Sequence, residues 1–270
     1  MLIRIVAYSV AGYLILCLIF YFGQNRLLYF PDTRKPDVRD VQSMNLAFWP
    51  AEDDSFRGYL CMPDTSETTG LIIVFHGNAG AAWQRDYYCK PLGRLGYIVL
   101  LAEYPGYGGR FGKPSEQNLV RDARETIRLI QYEFPGPVYV LGESLGAAVV
   151  ASALTDSSLI VDGVCLITPW ARLKDLGQKI YPFVPVQLLA RDQYDSIKNL
   201  AHYKGRIAVA VAEQDEVVST EQGLDLFDSI QTAKKLWLMK TTSHNTWMFR
   251  VSPSFWQEIM VFLESDVQNQ

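Results

Sequence analysis

VYVLGESLGAAVV, residues 138–150, is an apolar run that breaks at two glycines around a serine and resumes as a helix-forming stretch. Val138 to Leu141 has the continuous apolarity of a strand buried on both faces, and the small residues from Ala147 onward suit a helix packed closely on its neighbours. Between them stands Gly-x-Ser-x-Gly, at 142–146. Glycine at both flanks lets the chain turn sharply from strand to helix without Cβ clashes, which lifts Ser144 over the helix N-terminus as a candidate nucleophile.

The same alternation extends in both directions. Leu71 to Phe75, Ile98 to Ala102, Val164 to Ile167 and Ile207 to Ala212 are further apolar runs, and Lys235 to Met239 reads as one more strand. Between them Leu119, Ala123, Ile127 and Ile130 recur at helical spacing, as do Phe255, Ile259, Phe262 and Leu263. Strands alternating with helices predict an α/β fold: a mostly parallel sheet flanked by helices, with an antiparallel start over Met44 to Met62. The core domain is expected over 44–264. Residues 170–195 form the largest insertion between core strands and are expected to make a small cap, with Trp170, Phe183 and Leu188 or Leu189 as candidates to line a substrate pocket.

A serine hydroxyl is a poor nucleophile until a base takes its proton. His244, between the last predicted strand and helix, is placed to do so, and Asp215, three residues past Ala212, is placed to orient the imidazole. Glu213 and Glu216 are local rivals for the acid. HGNAG at 76–80 directly follows a strand, so backbone N–H groups there can approach a ligand. An oxyanion hole would combine the N–H groups of Asn78 and Leu145. His76 is expected to brace its loop without a paired acid, and His202 to be structural.

Charge and cysteine usage exclude several classes. The chain of 270 residues carries 25 basic and 29 acidic side chains, a net charge of −4, so it offers no cationic footprint for nucleic acid. Its four cysteines show no Cys-x-x-Cys pair and its histidines number three, so neither a zinc site nor a disulfide framework is indicated. No metal or organic cofactor is expected.

Ile5 to Phe22 contains no charged residue. At 1.5 Å per residue this makes about 27 Å of helix, close to the hydrocarbon thickness of a bilayer. FGQNRLLYFP follows without a small-residue cleavage site, so residues 5–22 are expected to be one retained membrane span and 23–43 a linker. Arg26, Arg34, Lys35 and Arg39 outnumber Arg4 on the other flank, which leans toward a cytoplasmic catalytic domain.

These segments together resemble a known family. LLYFP at 27–31, HGNAG at 76–80, EYPGYGGRFGKPSE at 103–116, GESLG at 142–146, YPFVP at 181–185 and the Asp215 and His244 contexts are similar to those of the membrane-anchored Bem46-like or ABHD13/17-like branch of the α/β-hydrolase superfamily. The order Ser144, Asp215, His244 is also that of the α/β-hydrolase group. The resemblance implies an α/β-hydrolase fold and a serine hydrolase that cleaves acyl esters or thioesters of lipids or lipidated proteins. Two positions depart from the branch: Glu143 stands where relatives are often basic or aromatic, and AEQDEVV lacks the usual glycine before the acid. The competing expectations are an aminopeptidase-like amidase and a non-catalytic membrane adaptor.

Overall fold

The apolar runs become the centre of one eight-stranded sheet in the computed structural model, which describes residues 1–265 apart from Ser66 and Pro253. The strands are β1 (Ala47–Trp49), β2 (Gly58–Cys61), β3 (Gly70–Phe75), β4 (Tyr97–Ala102), β5 (Val138–Glu143), β6 (Gly163–Ile167), β7 (Arg206–Ala212) and β8 (Lys234–Met239). Their order across the sheet is β8-β7-β6-β5-β3-β4-β2-β1, parallel except where β2 meets β1 and β4. The fold is that of the α/β-hydrolases.

Alternating side chains feed two cores. Leu71, Ile73 and Phe75 face one side of the sheet, Ile72 and Val74 the other. On the first side lie α3 (Glu116–Glu133), α4 (Leu145–Ala153) and α7 (Thr220–Ser229). On the second lie α2 (Cys89–Gly93) and α8 (Ser254–Glu264). Leu119, Ala123, Ile127 and Ile130 form the buried stripe of α3, each large member contributing about 1.5–3 kcal/mol of burial. Ser115 caps that helix by accepting the Asn118 N–H.

Register sets where the site can form. Phe75 pairs with Gly142, Glu143 with Ile167, and Met239 with Ala212, so β3, β5, β6, β7 and β8 end along one edge. Ligands of open α/β sheets bind outside that carboxyl edge. Over it sits the insertion of residues 170–195, with α5 (Leu173–Ile180) and α6 (Val186–Leu189), closed at its base by a bridge between Arg172 and Asp195.

The amino-terminal helix α1 runs from Leu2 to Leu28, longer than the apolar run and with no buried residue. By length and composition it is able to cross a membrane. Residues 23–28 are therefore helical, because nothing in GQNRLL breaks a helix before Pro31. Phe30–Pro31 then pair with Ala79–Gly80. A second difference concerns sulfur. Cys61 and Cys89 are joined as a disulfide with Cα atoms 5.8 Å apart, because the β2–β4 pairing folds the end of β2 against the start of α2. Spacing in sequence carries no trace of that proximity.

Candidate active site

The turn after β5 is forced by backbone contact. A Cβ at Gly142 would lie 2.5 Å from Ala147 Cα. Ser144 itself takes φ +52°, ψ −112°, a strained conformation for a residue bearing a side chain. Its N–H is fixed to the Ile167 carbonyl at 2.8 Å. The side chain thereby stands above α4 at the floor of a cavity of about 260 Å³.

The two loops after β7 and β8 are tied together and bring His244 and Asp215 to Ser144. Glu213 N donates to Met239 O (3.0 Å) and Gln214 N to Thr242 O (2.9 Å). His244 Nε2 lies 3.0 Å from Ser144 Oγ, and its Nδ1 lies 2.7 Å from Asp215 Oδ2. Asp215 Oδ1 accepts the N–H groups of Val217 (3.0 Å) and Val218 (2.8 Å). Burial pushes the Asp215 carboxyl up, but the hydrogen bond and charge of His244 and the N–H groups of Val218 and Val217 outweigh it and hold the carboxyl below the usual aspartate range. All three side chains are buried. The rival acids have other partners: Glu213 Oε2 accepts the Thr241 N–H (2.8 Å), and Glu216 Oε2 accepts the His244 N–H (3.4 Å).

The loop at 76–80 runs directly beside the serine, since a Cβ at Gly77 would lie 3.7 Å from Ser144 Cβ. Asn78 is pinned from three sides. Its carbonyl accepts Phe30 N (2.9 Å) and Tyr107 Oη (2.8 Å), and its Nδ2 donates to Leu28 O (2.9 Å). No acceptor among the described residues pairs with the backbone N–H of Asn78 or of Leu145. Two N–H donors thus remain available, one at the loop and one at the helix start.

Several residues differ from their expected surroundings. His76 does have a paired acid: Nε2 is 3.1 Å from Glu103 Oε1, while Nδ1 meets Gly77 O at 2.8 Å. The pairing of Phe75 with Ala102 brings the two residues that follow side by side, although 27 positions separate them in sequence. Glu103 also accepts the Ala82 N–H (2.9 Å), so the pair braces the loop, as expected of His76. Glu143 is buried, with Oε2 accepting from the hydroxyls of Tyr87 and Tyr88, both at 2.9 Å. His202 is exposed on a turn.

In the cap, Trp170 lines the cavity, whereas Phe183 and Leu188 are 82% and 84% exposed and stand outside it. The one-turn helix α6 turns Val186 inward and Leu188 outward, and the four residues VQLL are too few to give a periodicity from which to choose. In their place the cavity is lined by Leu176 and Ile180 of α5 and by Phe20, Leu27 and Leu28 of α1. The helix residues are invisible to a reading that assigns the apolar segment to the bilayer alone.

Residues 66–193 match the family described as "Serine aminopeptidase, S33". An uncharacterized protein of Mycobacterium tuberculosis is 31% identical over 228 residues, covering 82% of this chain and 80% of its own length. The lysophosphatidylserine lipase ABHD12 of Danio rerio is 29% identical over 185 residues, covering 62% of this chain, and the chain spans only 48% of that lipase. Among solved structures, Est1E from Butyrivibrio proteoclasticus with bound ferulic acid superposes with a TM-score of 0.65 at 18% identity, over 76% of this chain and 93% of its own. The likeness in fold, the matched family and the M. tuberculosis relative agree: the chain belongs to the α/β-hydrolase family.

Proposed function

We propose that the protein is a membrane-anchored serine hydrolase that cleaves an acyl ester or thioester through an acyl-enzyme at Ser144. The observation that carries this reading is the unbroken chain of contacts Ser144 Oγ, His244 Nε2, His244 Nδ1, Asp215 Oδ2, at 3.0 and 2.7 Å.

His244 Nε2 takes the Ser144 proton as Oγ attacks the acyl carbonyl. The carbonyl oxygen becomes an oxyanion received by the N–H groups of Leu145 and Asn78. Collapse expels the alcohol or thiol, which leaves with the proton held on His244, and Ser144 carries the acyl group. Water then attacks the acyl-enzyme, giving its proton to His244, and the carboxylic acid departs as Ser144 regains its hydrogen. Asp215 holds Nδ1–H throughout and stabilises the imidazolium.

The substrate class follows from the walls. The cavity above Ser144 is bounded mainly by aliphatic and aromatic side chains, and Asp192, an acid on its lining, already accepts the Tyr29 hydroxyl at 2.7 Å. A fatty acyl group suits such a pocket better than the free ammonium of a peptide, which favours the ester and thioester reading over the amide one. The lipase activity named for the zebrafish relative points the same way. The apolar helix α1 supports attachment to a membrane.

The test is labelling by a fluorophosphonate probe. The full-length protein is expected to label and to hydrolyse p-nitrophenyl esters, and Ser144→Ala is expected to lose both. Equal labelling of the two proteins would refute the serine mechanism.

A further inference from the structure

The last two turns of α1 are docked against the catalytic domain. Gln24 Nε2 donates to Leu189 O (3.2 Å), and its Oε1 accepts the Arg191 N–H (2.8 Å). Asn25 Nδ2 donates to Pro114 O (3.0 Å) and its Oδ1 accepts from the Arg191 guanidinium (2.8 Å), which also lies 5.4 Å above the Tyr21 ring. One turn closer to the chain start, Phe20 meets Tyr181 of the cap edge to face at 5.4 Å. At the other end, the Leu28 carbonyl receives the Asn78 side chain. A simple tether has no need of hydrogen bonds from Gln24, Asn25 and Leu28 together with an aromatic contact from Phe20.

Those contacts place an apolar helix face inside the site. Phe20, Leu27 and Leu28 of α1 line the cavity together with Trp170, Leu176 and Ile180 of the cap segment, and Ser144 is on the same lining. Resting on the serine hydrolase reading, we infer that α1 is a wall of an acyl channel: the chain of a single-chain membrane lipid passes from the bilayer along α1, between that helix and the cap, until its carbonyl reaches Ser144.

Three observations favour this occupant. The 260 Å³ of space lies just below the roughly 300–1,000 Å³ of clefts for drug-sized ligands, a size that suits a single acyl chain. The wall is continuous with a helix whose residues 5–19 carry no charged side chain, so a chain sliding along that stretch meets no charge. The cap segment on which α1 docks also exposes Ile180, Phe183 and Leu188. Exposed apolar side chains beside a membrane helix are stabilised by dipping into the interface, which carries the cap and the channel mouth to the lipid surface.

The proposal is tested with the full-length protein in phospholipid nanodiscs. Leu27→Trp and Ile180→Trp each narrow the channel from one side. Each is expected to lower kcat/KM for p-nitrophenyl dodecanoate about tenfold more than for p-nitrophenyl acetate, the scale on which a hydrophobic pocket discriminates chain length. An equal loss on both esters, or none on either, would overturn the channel. A second measurement does not depend on turnover or on these variants. Ser144→Ala in nanodiscs is irradiated with a monoacyl glycerophosphocholine bearing a diazirine near its chain end. Adducts on 20–28 and on 170–190, competed by unlabelled monoacyl glycerophosphocholine, are expected. Adducts confined to 2–19, or competed only by an S-acylated peptide, would refute the lipid channel. Adducts at the expected positions, with no fluorophosphonate labelling of the parent, would support the channel and overthrow the hydrolase reading.

Discussion

A methyl group at Gly146 would sit 1.9 Å from the Phe75 carbonyl oxygen and 2.8 Å from that of His76. The start of α4 and the end of β3 are thus in backbone contact, and this contact also sets the loop at 76–80 against Ser144. Neither partner is a flexible side-chain end, so any Cβ must push the elements apart. Gly146→Ala is expected to destabilise the protein by about 1–3 kcal/mol or more. It should also reduce fluorophosphonate labelling of Ser144, because the loop and the serine move relative to one another. A melting temperature within about 1 °C of the parent, with full labelling, would count against the contact.

Asp215 accepts one N–H from His244 and two from Val217 and Val218. Replacing it with asparagine allows the amide to face Nδ1 with its NH2 group, which favours the imidazole tautomer that cannot accept the Ser144 proton. Asp215→Asn is therefore expected to lower kcat on short esters about 10⁴-fold while the far-ultraviolet circular dichroism is retained. Glu213→Gln and Glu216→Gln should have far smaller effects, since those carboxylates meet backbone N–H groups of Thr241 and His244. If either produces the large loss instead, the acid is misassigned.

The same aspartate contributes a pH dependence of stability. Its carboxyl is held below the usual range in the folded chain, so near that range the unfolded state binds more protons and stability rises with pH. The contribution is complete above the unfolded aspartate value of about 3.9 and is lost as pH falls through the lower folded value. Thermal melts should show a wider gap between the parent and Asp215→Asn at about pH 6 than at about pH 3. A gap that widens on acidification would contradict the assignment.

The grouping of Ser144, Asp215 and His244 was legible because a serine between glycines after a strand calls for a later histidine and acid, and Asp215 and His244 follow strands that end on the same sheet edge. The buried apolar strands were legible for a related reason, since composition alone marks a strand covered on both faces. Contacts that depend on strand register were not. Glu103 reaches His76, and Cys61 reaches Cys89, only because neighbouring strands bring distant segments together. Phe183 and Leu188 are as apolar as the residues that do line the cavity, and only the direction of each short turn separates the two groups. The role of Phe20 and Leu27 was hidden because a hydrophobic helix satisfies the requirements of a bilayer and of a pocket wall with the same side chains.

Asp122 explains part of the EYPGYGGRFGKPSE segment. Its carboxylate accepts from Arg57 Nη1 at 2.8 Å and from Arg110 Nη1 and Nη2 at 2.7 and 2.8 Å. Arg110 also donates to the Glu103 carbonyl, so the loop after β4 is locked to α3. Both arginines and Asp122 are largely shielded from water, and deleting the carboxylate leaves Arg110 without its carboxylate partner and Arg57 with Glu125 alone. Asp122→Ala is expected to cost about 3–5 kcal/mol, read from urea unfolding. A loss below about 1 kcal/mol would place the cluster among exposed ion pairs.

The helix α1 is long and apolar enough to cross a membrane. It is 27 residues long, and the large apolar side chains of residues 2–19 are exposed, so they face either water or lipid. At about 25 cal/mol per Å² of apolar surface, leaving such a helix in water is far costlier than inserting it. The full-length protein is accordingly expected to stay with the membrane through an alkaline carbonate wash. A protein beginning at Gly23 keeps Gln24, Asn25 and the Leu28 carbonyl that holds Asn78, and should appear in the soluble fraction. It also loses Phe20, the wall residue nearest the chain start, so its preference for long over short esters should fall relative to the full-length protein. Release of the full-length protein by carbonate would remove the span, whereas retention of the shortened one would mean that the cap and the docked end of α1 bind lipid without it.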